Sequence, residues 1–264
     1  MTILDEIVSA KKKELVNLIE LKPVKALEIS PFFSRETISL SESIDNKLRT
    51  GIIAEFKRKS PSKGIFNSTA SVADVTSGYF REGASGVSVL TDYQYFGGSL
   101  SDLVNARESG NFPILRKDFI ISEYQVIESK AFGADAILLI AAVLGRSETR
   151  KLAELANSLG MEVILEVHDP EELVLLNRYV NIVGVNNRNL KTFDVNINIS
   201  EKVANIIQKS FLKISESGIS SPLIIEKLKR LGYNGFLIGE IFMKNSDPVT
   251  SFSEFAKSIT SKHD

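Results

Sequence analysis

The chain has 264 residues, of which 43% are hydrophobic and 25% are charged. This is the composition of an ordinary globular protein, and it excludes intrinsic disorder. Lysine and arginine number 32 against 33 aspartate and glutamate residues, which gives a net charge of -1. No long-range field therefore draws the whole chain to nucleic acid or to an anionic membrane, and any anionic ligand must be held by a local cluster of cations.

The residue types that are missing exclude several kinds of site. No cysteine is present, so disulfides, thiolate metal sites and cysteine nucleophiles are excluded. The two histidines, His168 and His263, are too few for a histidine-based zinc or iron site. The longest apolar run, 136–144, is far shorter than the roughly 20 residues of a membrane span, and no secretory signal is visible. We expect a soluble cytoplasmic protein.

Residues 1–48 precede the first predicted strand and have the pattern of two or three helices, with a break at Lys22-Pro23. We expect this helical extension to cap the bottom or the side of the catalytic domain, residues 49–264, within a single domain overall. The alternative is that the extension forms a lid over the site.

From Gly51 onward, a short apolar run, a turn and an amphipathic helical segment recur eight times. The apolar runs start at Gly51, Gly86, Phe112, Asp135, Met161, Asn181, Phe211 and Gly235. The predicted helices between them include 123–132, 146–159 and 170–179. Such alternation implies parallel strands, either in an open sheet or in a closed barrel. Eight units favour an α/β fold of the (β/α)8 TIM barrel type with an N-terminal helical extension, and no G-x-G-x-x-G follows the first strand.

Polar side chains recur where five of these strands end, which is the edge where barrel active sites gather. Taking one face of each strand gives Glu55, Lys57, Lys117, Glu166, Asn186, Arg188 and Glu216. The three cations can pair with the anionic groups of a substrate, and the three acids leave a carboxylate free for proton transfer. We expect the crowding to shift lysine and glutamate pKa values toward neutrality. For any one residue, a plain ion pair at a strand end is the alternative.

A phosphate site has a separate signature in the turns after the last two strands. Ser217-Gly218 and Gly239 are small residues of the kind that lets backbone N–H groups approach a phosphate. An ordinary βα turn is the alternative. Ser60 lies in the 60–64 loop, which adds a hydroxyl and a cation and has the composition of a mobile flap.

His168 follows Glu166 at the start of a turn, and we favour a turn histidine over a proton shuttle.

The motifs that carry these residues resemble the indole-3-glycerol-phosphate synthase family, in the family's order along the chain. They are IIAEFKRKSPS at 52–62, LRKDFI at 115–120, LEVHD at 165–169, GVNNRNL at 184–190, SESGI at 215–219 and GFLIG at 235–239. The resemblance implies a carboxy-lyase of tryptophan biosynthesis. It would close 1-(2-carboxyphenylamino)-1-deoxyribulose 5-phosphate to indole-3-glycerol phosphate, with loss of carbon dioxide and water and with no metal or organic cofactor.

The resemblance also implies roles for the predicted site residues. Lys117 matches the general acid, Glu166 the acid/base and Glu55 its partner. Lys57 and Arg188 match the residues that bind the substrate carboxylate. Asn186 and Glu216 match those that contact the sugar hydroxyls and the catalytic lysines. The residues that match the phosphate contacts are Ser60, Ser217, Gly218 and Gly239.

Glu240 departs from the small hydroxyl residue that many family members have after the last strand. We expect its carboxylate to point away from the phosphate, because like charges repel strongly in a partly desolvated site, and only its backbone N–H to contribute.

Two other functions stay open at this point. One is another phosphate-binding barrel, such as phosphoribosylanthranilate isomerase; the other is a barrel that binds a ligand without catalysis. In each case we expect a phosphorylated small molecule as partner, no nucleic acid or membrane, and a monomer or weak homodimer.

Overall fold

A computed structural model describes residues 2–190 and 192–260 of the chain, so His263 lies outside the described residues. Eight parallel strands close into a barrel in which the last strand pairs with the first. Strands β1 to β8 are Ile52–Phe56, Gly86–Leu90, Ile114–Lys117, Ala136–Ile140, Glu162–Val167, Ile182–Asn186, Leu212–Glu216 and Gly235–Ile238. The predicted barrel is confirmed.

Helices surround the barrel and cover the outward apolar side chains of the strands. In chain order, α4 to α8 are Val72–Arg81, Tyr93–Phe96, Leu100–Glu108, Glu123–Ala131 and Arg146–Ser158. Helices α9 to α12 are Asn198–Ala204, Pro222–Arg230, Glu240–Met243 and Pro248–Thr260. None of the helices described is long and apolar enough to cross a membrane.

The predicted helix at 170–179 is instead a short 3-10 helix, Pro170–Leu175. Asp169 caps its start by accepting from the backbone N of Glu171 at 3.1 Å. The Asn177 side chain then accepts from the backbone N of Tyr179 at 3.0 Å, which forms a turn where the helix was expected to continue.

Every second side chain of a strand points into the barrel. The inward side chains of β1, β3, β5 and β7 therefore form two layers, one above the other. The deeper layer is apolar and consists of Ile53, Leu115, Ile164 and Ile214. Two residues further along the same strands, at their C-terminal ends, come Glu55, Lys117, Glu166 and Glu216. The apolar layer closes the barrel beneath this charged layer.

The helices of the extension, α1 (Ile3–Leu21), α2 (Val24–Glu28) and α3 (Leu40–Asp45), cover three different parts of the barrel. Helix α3 plugs the bottom: a Cβ on Gly86, where β2 begins, would lie 2.5 Å from the Leu40 side chain. Helix α2 packs against α7 at the side. Helix α1 lies at the top and lines the cavity there. Helices α3 and α2 thus lie at the bottom and the side of the barrel, whereas α1 lies at the cavity.

A buried lysine fixes α1 at the top of the barrel. Lys11 is 4% exposed, and its Nζ lies 3.0 Å from Asp92 Oδ2 and 3.2 Å from Asp118 Oδ1. Burial opposes ionisation of Asp118, but Arg116 and Lys11 outweigh it and lower the pKa of Asp118 to about 2. These ion pairs tie α1 to the ends of β2 and β3.

Replacing Leu40 by alanine should destabilise the barrel by about 2–5 kcal/mol, because a fully buried plug would leave a cavity. Urea unfolding measures the change. Leu48→Ala is the matched control: Leu48 is 92% exposed, so its loss should change the free energy of unfolding by less than about 0.5 kcal/mol. Equal effects of the two substitutions would contradict the proposed packing of α3.

Candidate active site

A cavity of about 520 Å³ opens at the C-terminal ends of the strands. Every residue predicted for the site lines it: Glu55, Lys57, Ser60, Lys117, Glu166, Asn186, Arg188, Glu216, Ser217, Gly218, Gly239 and Glu240. The volume is within the usual range of about 300–1,000 Å³ for small-molecule sites. Within residues 2–190 and 192–260, no cluster of three or more histidine or carboxylate side chains is arranged to hold a metal ion.

One ammonium group lies among three buried carboxylates at the centre of the cavity floor. Lys117 Nζ lies 3.0 Å from Glu216 Oε2, 3.4 Å from Glu166 Oε2 and 4.0 Å from Glu55 Oε2. Lys57 Nζ contacts the other oxygen of Glu55 at 2.5 Å. Strands β1, β3, β5 and β7 each supply one of the central residues, so three carboxylates and one ammonium share this layer.

The neighbouring charges decide the direction in which each pKa of this layer shifts. Burial disfavours the charge on Lys117, but the three glutamates outweigh burial and raise the pKa of Lys117. Burial likewise opposes ionisation of Glu55 and Glu166, yet the neighbouring cations lower the pKa of each. Only for Glu216 does burial prevail and raise the pKa. The predicted shift toward neutrality is correct for Glu216 and wrong for the other three. Glu55 and Glu166 each have a second cation nearby, Lys57 and His168, whereas Glu216 shares Lys117 with two other carboxylates that oppose its ionisation.

The close approach of Glu216 to Lys117 depends on a glycine. A Cβ at Gly184, on the neighbouring strand β6, would collide with the Glu216 carboxylate, Oε1 being the nearest atom. The missing side chain leaves space inside the barrel for that carboxylate.

Arg188 is held in place by its own loop. Its backbone N donates to the Asn186 side chain at 3.0 Å, and its guanidinium donates to the carbonyl of Phe193 at 3.1 Å. Phe193 has a φ of 62°, a left-handed backbone conformation that is costly for a bulky residue. The strained residue Phe193 is thus the one whose carbonyl holds the Arg188 guanidinium at the cavity mouth.

The turns after β7 and β8 are shaped by small residues. Ser217 and Gly218 both have left-handed backbones, with φ of 65° and 78°. A Cβ on Gly218 would lie 2.5 Å from Val195, and one on Gly239 would lie 2.7 Å from the Glu55 side chain. Larger residues would fill the space above these turns.

The Glu240 side chain lies among three cations at the cavity. Its carboxylate is 3.7 Å from Arg188 Nη2 and 3.6 Å from Lys63 Nζ, and it accepts from Lys244 at 2.6 Å. The orientation of this carboxylate relative to a bound phosphate stays a prediction.

Two groups of residues in the site escaped the sequence analysis. Helix α1 contributes Ile3, Leu4 and Ile7 to the cavity wall, and their spacing at the start of a helix was the only available signal. Asn187 is fully buried and joins β6 to β7 by donating to Ser215 Oγ at 2.9 Å and to the carbonyl of Ser217 at 3.1 Å. It thereby fixes the turn that contains Ser217.

Known proteins resemble this chain over most of its length. A family model described as indole-3-glycerol phosphate synthase matches residues 4–255. A protein of that name from Bacteroides thetaiotaomicron is 47% identical over 210 residues, covering 80% of this chain and 81% of the relative. One from Bacillus cereus is 44% identical over 261 residues, covering 97% and 98%.

Among solved structures, tryptophan synthase subunit alpha from Legionella pneumophila matches with a TM-score of 0.60 at 12% identity, covering 83% of this chain and 96% of that chain. At this identity the likeness shows the barrel fold alone. The family model and the relatives together span the barrel and α1, and they show that the chain belongs to the indole-3-glycerol phosphate synthase family.

Proposed function

We propose that the cavity closes 1-(2-carboxyphenylamino)-1-deoxyribulose 5-phosphate to indole-3-glycerol phosphate, with Lys117 as general acid and Glu166 as acid/base. As a family member, the chain is a carboxy-lyase of tryptophan biosynthesis that acts on a phosphorylated small molecule. The observation that carries the assignment of roles is the Lys117 ammonium, which contacts Glu216, Glu166 and Glu55 at the bottom of the cavity.

The first step forms a carbon–carbon bond between the aromatic ring and the sugar carbonyl carbon. As the ring carbon attacks, electrons move onto the carbonyl oxygen, and the Lys117 ammonium stabilises and protonates that oxygen. The carboxylate then leaves as carbon dioxide, and the electrons of the broken bond restore the aromatic ring.

The second stage removes water and a proton. The new hydroxyl group leaves as water with a proton from Lys117, which solvent has reprotonated after the first stage. Glu166 accepts the ring proton whose loss completes the indole. Glu55 assists from the other side of Lys117, and Asn186 and Glu216 hold the sugar hydroxyls and the lysine. The sequence of steps is redox-neutral, so it needs no oxidant or reductant.

Two cations are suited to the substrate carboxylate. Arg188 presents a forked guanidinium at the cavity mouth, and Lys57 lies next to Glu55. We assign the phosphate to Ser60, Ser217, Gly218 and Gly239, with the backbone N–H of Glu240. The backbone shapes at Ser217 and Gly218 support this assignment.

The other functional expectations remain predictions. They are a cytoplasmic location, a monomer or weak homodimer, and no nucleic-acid or membrane partner. An isomerase of phosphoribosylanthranilate, or a barrel that only binds its ligand, is separated from the proposed function by the assay below.

Purified protein given the substrate should produce indole fluorescence in the presence of a chelator and without added cofactor. Lys117→Met should lower kcat by about 10²–10⁴-fold, because the general acid is removed. Lys47→Met, which replaces a lysine whose side chain is 92% exposed, is the matched control and should keep wild-type activity. Substrate binding by the wild type without turnover would instead support the ligand-binding barrel.

Gly218→Ala should raise KM, because a Cβ at this left-handed position meets Val195 and closes the phosphate turn. Steady-state kinetics and binding of inorganic phosphate measure the change. Gly145→Ala is the control, because Gly145 has an ordinary backbone and only the flexible end of Glu148 nearby. An unchanged KM in Gly218→Ala would contradict the assignment of the substrate phosphate to this turn.

Glu240→Gln should lower KM by roughly two- to fivefold, the equivalent of about 0.2–1 kcal/mol for one partly exposed charge pair. The carboxylate competes with an anionic substrate for Arg188 and Lys63, so its neutralisation frees both cations. The benefit should shrink as salt screens the charges. A higher KM in Glu240→Gln would show that the carboxylate helps to bind the substrate.

A further inference from the structure

His168 is a largely buried histidine that lies behind the candidate acid/base Glu166. It sits in the bend directly after β5, as expected for a turn histidine, and its side chain is 13% exposed. Nε2 lies 3.3 Å from Glu166 Oε1, and Nδ1 lies 3.7 Å from Glu172 Oε2. His168 is not part of the cavity wall, so its ring can influence the substrate only through Glu166.

The two carboxylates define the charge of the ring. Each ring nitrogen lies near a carboxylate oxygen without a well-aligned hydrogen bond, so the two contacts act as ion pairs and attract only when the ring is protonated. Burial disfavours this charged form, but the interactions with Glu166 and Glu172 outweigh burial and raise the pKa of His168 to about 10. Glu172 is held in this arrangement by the backbone N of His168, which donates to Oε2 at 2.6 Å.

Glu166 is thereby placed between two cations. Oε1 is near the His168 ring and Oε2 is near the Lys117 ammonium, and the Asn186 side chain also lowers the pKa of the carboxylate. Two other buried carboxylates, Glu216 and Glu55, lie around the same lysine and oppose the negative charge of Glu166.

The two cations differ in what happens to them during the reaction. Lys117 lines the cavity and gives its proton to the substrate, so its charge is not constantly available to Glu166. The imidazolium of His168 lies outside the cavity wall and keeps its charge throughout. Without it, Glu166 would take up a proton whenever Lys117 became neutral, because Glu216 and Glu55 would then repel its charge.

We propose that His168 is a positioning residue that orients the Glu166 carboxylate and keeps it ionised until it accepts the ring proton. The proposal rests on the acid/base role assigned to Glu166 above. It gives a function to a charged group that the reaction steps do not use directly.

The kinetic test compares His168→Gln, which removes the charge, with His168→Lys, which keeps a cation. In the wild type, Glu166 has a lowered pKa and stays ionised down to acidic pH. In His168→Gln its pKa rises, so kcat should be lost as pH falls through that higher value, with the acidic limb displaced upward by about one unit or more. KM should change by less than about twofold, and His168→Lys should return the limb toward the wild-type position.

A direct titration tests the charge without altering the site. The chain has two histidines, so His263→Gln leaves His168 as the only one, and its ring signals can be followed by NMR. We expect the ring to stay protonated until the pH approaches about 10. A pKa near the ordinary value of about 6.5 would overturn the proposal, whether or not the His168 variants fold.

The outcomes separate this proposal from the proposed function. If the wild type turns the substrate over and His168→Gln keeps the wild-type pH profile, the role of His168 is wrong while the enzymatic function stands. If the wild type does not turn the substrate over, the enzymatic function fails, and the ring titration then decides only whether the charged pair exists.

Discussion

The structure depends on the Lys117 ammonium and the three buried glutamates that surround it. Three carboxylates in a low-dielectric interior repel one another, and removing them from water costs several kcal/mol each. They can be ionised here only because Lys117 contacts all three, while Lys57 and His168 supply further positive charge at Glu55 and Glu166. The protonation states therefore belong to the group as a whole and change together when a substrate enters.

Successive side chains at the end of β3 take part in different ion pairs, some in the candidate active site and some in the anchoring of helices. Lys117 points into the barrel, whereas its neighbours Arg116 and Asp118 point outward into buried pairs, with Glu128 of α7 and with Lys11 of α1 respectively. One short segment thus carries the candidate general acid on one face and its anchoring on the other. The roof formed by α1 and the cavity floor are fixed to the same strand end.

Much of this arrangement was predictable from the sequence. The order of the strands, the polar residues at their ends and the glycines of the turns after β7 and β8 follow from periodicity and from the position of barrel active sites. What could not be predicted depends on contacts between distant segments. The helix expected at 170–179 is shortened by the local hydrogen bond of Asn177, and the site of α1 depends on Lys11 meeting Asp92 and Asp118.

The pKa values and the placement of Glu240 were beyond the sequence for a related reason. Crowding of charged residues alone suggests pKa values near neutrality. The direction in which each pKa shifts depends on which charged side chains lie next to each other, and the closed barrel determines that. Likewise, the Glu240 side chain contacts three cations, Arg188, Lys63 and Lys244, of which two come from distant parts of the chain.

The anchoring of α1 also bears on how the protein assembles during synthesis. Helix α1 leaves the ribosome before any strand of the barrel, yet the partners of Lys11 lie roughly a hundred residues later in the chain, and the barrel closes only when β8 pairs with β1. Burying the charge of Lys11 before both aspartates are in place would be costly. A helix that is made before the strands should therefore dock after them, so that the cavity is covered only once the barrel has closed.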